Sequence, residues 1–425
     1  MAIVLLLLLP LAAAASSQKT FRGEVSVEQG YQSNIDRVHS DPVAEHESRI
    51  TPRMIYTRST GASNLRLAYS PSLVHSYRTE EQRIDQRVSA AYNIQVAKRL
   101  GLNFNNTYRL ADDPYTYAGW EVVDGEIELS DRRGRRQYWT NSFSASMDYE
   151  YGQQRLVSLG YNNRILQYEQ DIHTDFVQHS PFASISHRIN HRWSLRSSYT
   201  FTQGDFDGDD DRTSHSADFA VSYALSPHTD IFSRIGYAAT DYEQELQAIR
   251  NFEVYTATVG LDRQLSPLRS IDVETGVSQI KREAFAGIES DILAFFLRAN
   301  LDNQLQRGSW RLYGESGTDQ RYYTGIDEGL SRYWLAGVQA NRTLTRNITG
   351  SAGVSYREDD YIEREVSDRE KYIRANARLR YSFARWYQLT LGYSYSELES
   401  SRPFNNYENH RVFIRLTAGK DLFSW

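Results

Sequence analysis

The sequence predicts an all-β fold: a single-chain transmembrane antiparallel β-barrel of about 20 strands (about 18 in the alternative count), with short periplasmic turns and longer extracellular loops. Three observations lead there. Segments of roughly 11 to 14 residues alternate apolar and polar side chains with a period of two, the mark of a strand whose faces meet different surroundings. Turns of two or three residues alternate with longer polar connections, the asymmetry of a barrel that has one end in the periplasm. Aromatic residues are abundant, with 30 Tyr, 17 Phe and 7 Trp in 425 residues. They gather near segment ends, where the girdles of a membrane barrel would lie.

The chain begins with an apolar stretch from Ala2 to Ala15 that ends in alanines and is followed by Ser16-Ser17-Gln18. It is too short to cross a hydrocarbon core of about 30 Å, which takes about 20 residues. It fits a secretory signal peptide over residues 1–15, leaving a single barrel domain over 16–425. The first hairpin runs from Phe21 to Tyr56, and the first short turn is Gly61-Ala62-Ser63. Counting from Ala62, the later short turns centre on Lys98, Gln153, His191, Pro227, Pro267, Arg307, Arg346 and Ala384. Successive turns lie 36 to 40 residues apart, with one interval of 55. The repeating unit is therefore a hairpin.

Within the units the faces separate cleanly. Ile84, Val88, Ala90, Tyr92 and Ile94 oppose Asp85, Arg87, Ser89 and Asn93; Phe143, Ala145, Met147 and Tyr149 oppose Ser142, Ser144, Ser146 and Asp148. Leu293, Phe295, Leu297, Ala299 and Leu301 oppose Arg298, Asn300 and Asp302, and Ile373, Ala375, Ala377, Leu379 and Tyr381 oppose Arg374, Asn376, Arg378 and Arg380. Leu389, Leu391, Tyr393 and Tyr395 repeat the pattern. The long connections are 112–135, 169–175, 205–212, 243–250, 284–289 and 362–368. Nine short turns joining ten hairpins give twenty strands, with both termini in the periplasm. A soluble sandwich, propeller or β-helix would share the alternation, but not the asymmetric connections or strands longer than the usual five or six residues. Every stretch beyond Thr20 is used by strands or loops, so no interior plug domain is expected.

Several function classes are excluded or unsupported. The chain has no cysteine, which removes disulfides, thiolate metal sites and a cysteine nucleophile together. No glycine-rich phosphate loop, paired-histidine metal motif or nucleic-acid motif appears. The ten histidines form no triad pattern, so neither an enzyme nor a cofactor is expected. Asp205-Phe206-Asp207-Gly208-Asp209-Asp210-Asp211 lacks the spacing and closing Glu of a calcium loop and reads as a solvated acidic loop. Arg132-Arg133-Gly134-Arg135-Arg136 either meets lipopolysaccharide phosphates at the outer rim or is simply solvated.

The polar faces should line a lumen. Only Lys19, Lys98, Lys281, Lys371 and Lys420 are lysines among 48 basic residues, and the arginine fork suits carboxylate and phosphate. The candidate lumen-lining residues are Arg298, Arg332, Arg374, Arg378, Arg380, Arg411 and Arg415, with Arg342 nearby. Two arrangements are open: an arginine wall that favours anionic polymers or solutes, or a balanced lumen. In the balanced lumen Asp148, Asp218, Asp272, Glu274, Asp302 and Glu315 pair with those arginines, and burial favours pairing. The chain ends Asp421-Leu422-Phe423-Ser424-Trp425, and Phe423 and Trp425 form a candidate signal for the barrel-assembly machinery.

Gly30-Tyr31-Gln32-Ser33-Asn34-Ile35-Asp36-Arg37 in the first strand and the run from Asn406 to Ala418 in the last carry a resemblance. They resemble a β-barrel porin family whose members include outer-membrane proteins of exopolysaccharide biosynthesis operons. The resemblance implies an outer-membrane location and a conduit for secreted polysaccharide or another hydrophilic solute. It also implies a periplasmic export protein as partner, and it brings no catalytic residues. The alternative is a structural barrel that anchors surface glycan without flux.

Overall fold

The computed structural model describes residues 17–112, 137–169, 175–207, 211–243, 251–282, 291–323, 326–362 and 368–424, with the side chains of 319–329 and 404 left aside. Twenty strands run through them. The first ten are β1 (Gln18–Gln32), β2 (Glu45–Ser59), β3 (Ser63–Ser76), β4 (Gln82–Ala97), β5 (Leu100–Ala111), β6 (Tyr138–Gly152), β7 (Arg155–Tyr168), β8 (Asp175–Arg188), β9 (Trp193–Asp207) and β10 (Arg212–Ser226). The second ten are β11 (Thr229–Tyr242), β12 (Phe252–Ser266), β13 (Arg269–Arg282), β14 (Asp291–Leu305), β15 (Gly308–Tyr323), β16 (Ile326–Thr343), β17 (Ile348–Tyr361), β18 (Asp368–Phe383), β19 (Tyr387–Ser400) and β20 (Tyr407–Ser424). Each strand pairs antiparallel with its sequence neighbours, and β1 pairs with β20, Val25 opposite Ala418 and Glu28 opposite Arg415. The sheet closes on itself and has no free edge.

All nine expected short turns join an even-numbered strand to the next odd one. Strand length departs from expectation: 12 residues in β5 and up to 18 in β16 and β20. The ladder continues beyond the apolar band, where charged outward pairs such as Lys371 with Glu399 extend it.

Parity sets the two faces. Val25 and Val27 on β1, Ile235 on β11, Val259 on β12, Leu293 and Phe295 on β14 and Val412, Ile414 and Leu416 on β20 stand exposed on the outside. In water such a surface would aggregate; against lipid it is what holds the barrel in place. Prolines mark the local exceptions. Pro52 and Pro71 carry no N–H, and the β2–β3 ladder is open between Ile50/Leu73 and Met54/Tyr69. There the hydroxyls of Thr51 and Ser72 bond to each other at 2.7 Å, a side-chain link where the backbone link is missing.

Toward the extracellular end the inner face carries apolar clusters beside buried charged residues such as Asp359 and Glu370. One cluster joins Tyr138, Leu166, Phe176 and Phe206 from β6 to β9. A second joins Phe252, Ile280, Ala294 and Leu330, with Ile362 packed against it, and a third joins Tyr372, Leu398 and Tyr407. The Arg282 guanidinium donates to the carbonyl of Ile362 at 3.4 Å, tying the top of β13 to the segment that follows β17.

Candidate functional site, the inner wall of the barrel

The site follows from strand parity. On β18 the apolar row Ile373, Ala375, Ala377, Leu379 faces out, so Arg374, Asn376, Arg378 and Arg380 face in. On β20 the exposed Val412, Ile414 and Leu416 put Arg411, Phe413 and Arg415 inside. At this height the intervening β19 offers the small or uncharged Thr390, Gly392, Ser394 and Ser396 to the same face. Register then aligns the rows: Arg378 faces Gly392, which faces Phe413. Arg380 faces Thr390, Thr390 faces Arg415, and Arg415 faces Glu28.

Glu28 of β1 is the carboxylate that Arg411 and Arg415 share. It is 4% exposed and accepts from Arg411 Nη2 at 2.9 Å and from Arg415 Nε at 2.6 Å. One buried carboxylate thus holds two arginines by charge-assisted bonds. Arg374 lies over the Tyr372 ring, 5.8 Å from its centroid. Among the described residues, no carboxylate comes within ion-pair distance of Arg378 or Arg380.

The arc from β11 to β15 is built differently. Arg298 reaches Glu315 at 3.2 Å, Arg311 reaches Asp302 at 2.6 Å and Arg234 reaches Glu274 at 3.4 Å. Asp230, Asp262 and Asp272 stand directly opposite one another on three consecutive strands, an arrangement in which like charges repel. Of the expected carboxylate partners, Glu315 meets Arg298, while Glu274 and Asp302 meet Arg234 and Arg311 instead. Pairing prevails on β11 to β15, and arginine is in excess on β18 to β20.

Two expectations are corrected. Arg332 does not line the lumen. It shares the outward face with Trp334 and Val338, and its guanidinium bridges Asp360 at 2.8 Å on the outside of the extracellular rim. Arg342, on the same parity of β16, also faces outward. The sequence reading grouped these two by proximity rather than by counting alternation back from Trp334. Arg298, Arg374, Arg378, Arg380, Arg411 and Arg415 face inward. Phe423 is exposed beside Phe21, ring centroids 6.4 Å apart, where β20 meets β1. Trp425, the expected signal peptide 1–15, the loop 113–136 with its arginine run and the acidic tip 208–210 lie outside the described residues.

Aromatic rings also line the inner wall. Phe232, Phe296, Tyr372 and Phe413 each precede an arginine by two residues, and the guanidinium carbons of Arg234, Arg298, Arg374 and Arg415 lie 5.9, 6.0, 5.8 and 5.3 Å from the ring centroids. The aromatic-x-Arg spacing was the available signal, since period two puts both on one face. Several inner rings are seated on a glycine of the next strand. A Cβ at Gly160, Gly260 or Gly392 would come within 2.2 Å of Phe182, Phe232 or Phe413, respectively.

Comparison with known proteins agrees with this geometry. The family model described as "Putative beta-barrel porin 2" matches residues 194–420, more than half of the chain. The chain belongs to the beta-barrel porin 2 family. The matched span runs from β9 into β20 and includes every arginine of the inner arc. This beta-barrel porin 2 member is a porin-like channel of the outer membrane. Its barrel is similar to that of the ferric enterobactin receptor PfeA of Pseudomonas aeruginosa, in a mutant form, at 9% identity over 96% of this chain and 81% of that one, with a TM-score of 0.54. The siderophore receptor PirA of Pseudomonas aeruginosa is similar at 8% identity over 94% of this chain and 80% of that one, with a TM-score of 0.51. At such identities the likeness is one of fold. No curated protein matches the chain.

Proposed function

We propose that this porin-like barrel is a conduit for secreted exopolysaccharide. The observation that supports the reading most is the closed twenty-strand wall with a polar, arginine-rich inner face. With strands about 4.8 Å apart and tilted by roughly 40°, a circular section measures roughly 40 Å between opposite backbones. That leaves room for a hydrated polymer. A porin supplies a wet path and places no catalytic demand on its wall; selectivity then rests on which charges and rings line the path. The partners that fit are the glycan itself, a periplasmic export protein at the short-turn end, lipopolysaccharide around the rim, and the barrel-assembly machinery reading the last strand through Phe423 and Trp425. A barrel that only anchored glycan through its loops would carry no current. Osmotic swelling of proteoliposomes with dextrans of increasing length tests the conduit: entry of chains several sugars long is expected, and a cut-off below a trisaccharide would refute it.

A further inference from the structure

The arc formed by β18, β19 and β20 differs from the rest of the inner wall in charge and in surface. Five arginines, Arg374, Arg378, Arg380, Arg411 and Arg415, line its middle, where Glu28 of β1 holds Arg411 and Arg415; the inward carboxylates of β18 itself, Asp368 and Glu370, lie at its extracellular end. Arg380 is exposed and Arg378 half-buried, and neither has an ion-pair partner among the described residues. Between them and β20 lies Gly392, the register partner of both Arg378 and Phe413. Because Gly392 has no side chain, the half-buried Phe413 ring rests over it, on the strand between Phe413 and Arg378, with the Arg411 and Arg415 guanidiniums 5.4 and 5.3 Å from its centroid.

We propose that this arc is a binding track for a carboxylate-bearing glycan. A sugar ring rests against Phe413 while its carboxylate is taken by Arg378 and Arg380. This rests on the conduit reading above and names its substrate class. The chemistry favours that ligand on three counts. Two planar guanidinium forks two residues apart on one strand suit repeated carboxylates better than a single point charge does. An aromatic platform next to a few convergent polar groups suits a pyranose better than an inorganic anion. The aspartates Asp230, Asp262 and Asp272 on β11 to β13 repel a polyanion from their own arc, which keeps it to the arginine side.

The test uses the full chain in planar bilayers, with tetragalacturonate and maltotetraose as probes of equal length. Tetragalacturonate is expected to interrupt the single-channel current at a concentration at least tenfold lower than maltotetraose. Arg378→Gln with Arg380→Gln should abolish that difference, and Phe413→Leu should weaken interruption by both sugars. Arg332→Gln, on the outward face, serves as the unchanged control. Equal interruption by the two sugars, or a preference that survives the double substitution, overturns the track. If the folded barrel carries no current, the conduit reading falls separately. Isothermal titration of tetragalacturonate into the detergent-solubilised barrel then decides the track. Binding that is lost in the double variant upholds it, and no binding overturns it.

Discussion

At the scale of single residues, Glu28 holds the arginine arc together. Its carboxylate is buried and bonded to both Arg411 and Arg415, so replacing it leaves two guanidinium groups of like charge facing each other. Glu28→Gln is expected to cost roughly 1–3 kcal/mol, at the lower end because Arg415 is open to the watery lumen. It should also raise anion over cation permeability. Thermal unfolding in detergent and reversal potentials under a salt gradient measure the two effects; unchanged selectivity would show that these charges lie off the ion path. The inward arginines were legible from alternation alone, because a two-residue period fixes the face once one neighbour is known to be apolar. The same count from the exposed Trp334 puts Arg332 on the outer face. Glu28 is hidden from such a count. It lies 383 residues before Arg411 and 387 before Arg415, and only closure of β1 on β20 brings them together.

At the scale of elements, twenty strands and nine short turns were legible, since turn residues and alternation are local. What local pattern does not reveal is how one strand's side chains use the next strand's backbone. Phe413 lies over Gly392, and Phe232 lies over Gly260, pairs made by register and invisible within either strand. Gly392→Ala places a Cβ 2.2 Å from the Phe413 ring, so the ring must swing off its seat. The expected loss is about 1–3 kcal/mol, with recovery in the Gly392→Ala, Phe413→Leu double variant. Urea titration of both variants checks this, and full stability of the single variant would contradict the packing. The two faces give a second prediction. Val259, 60% exposed at mid-strand on the outside of β12, should lose roughly 2–4 kcal/mol on substitution by Arg. Ser198→Arg, on the inner face of β9 and opposite Asp218, should cost close to nothing. Folding yield into lipid vesicles compares them; equal tolerance would mean that the faces are assigned the wrong way round.

At the scale of the whole molecule, a chain that is hydrophilic on average yet rich in aromatics is a membrane protein because its two chemistries are sorted by parity, not by segment. No helix among the described residues is long and apolar enough to cross a membrane; the crossing is made by strands, which spread the apolar residues over twenty short outward rows. The same sorting makes the inner wall continuous and wet, and closure divides it into a paired arc and an arginine arc. The arginine arc in particular takes shape only when the strands are placed around a ring, because Glu28 lies 383 residues before Arg411. The measurement that bears most directly on the whole is the single-channel current of the purified, folded chain in a planar bilayer under a potassium chloride gradient. Long-lived steps with a reversal potential displaced toward the chloride equilibrium value are the expected result. A folded barrel that carries no current, or one that selects cations, would contradict it.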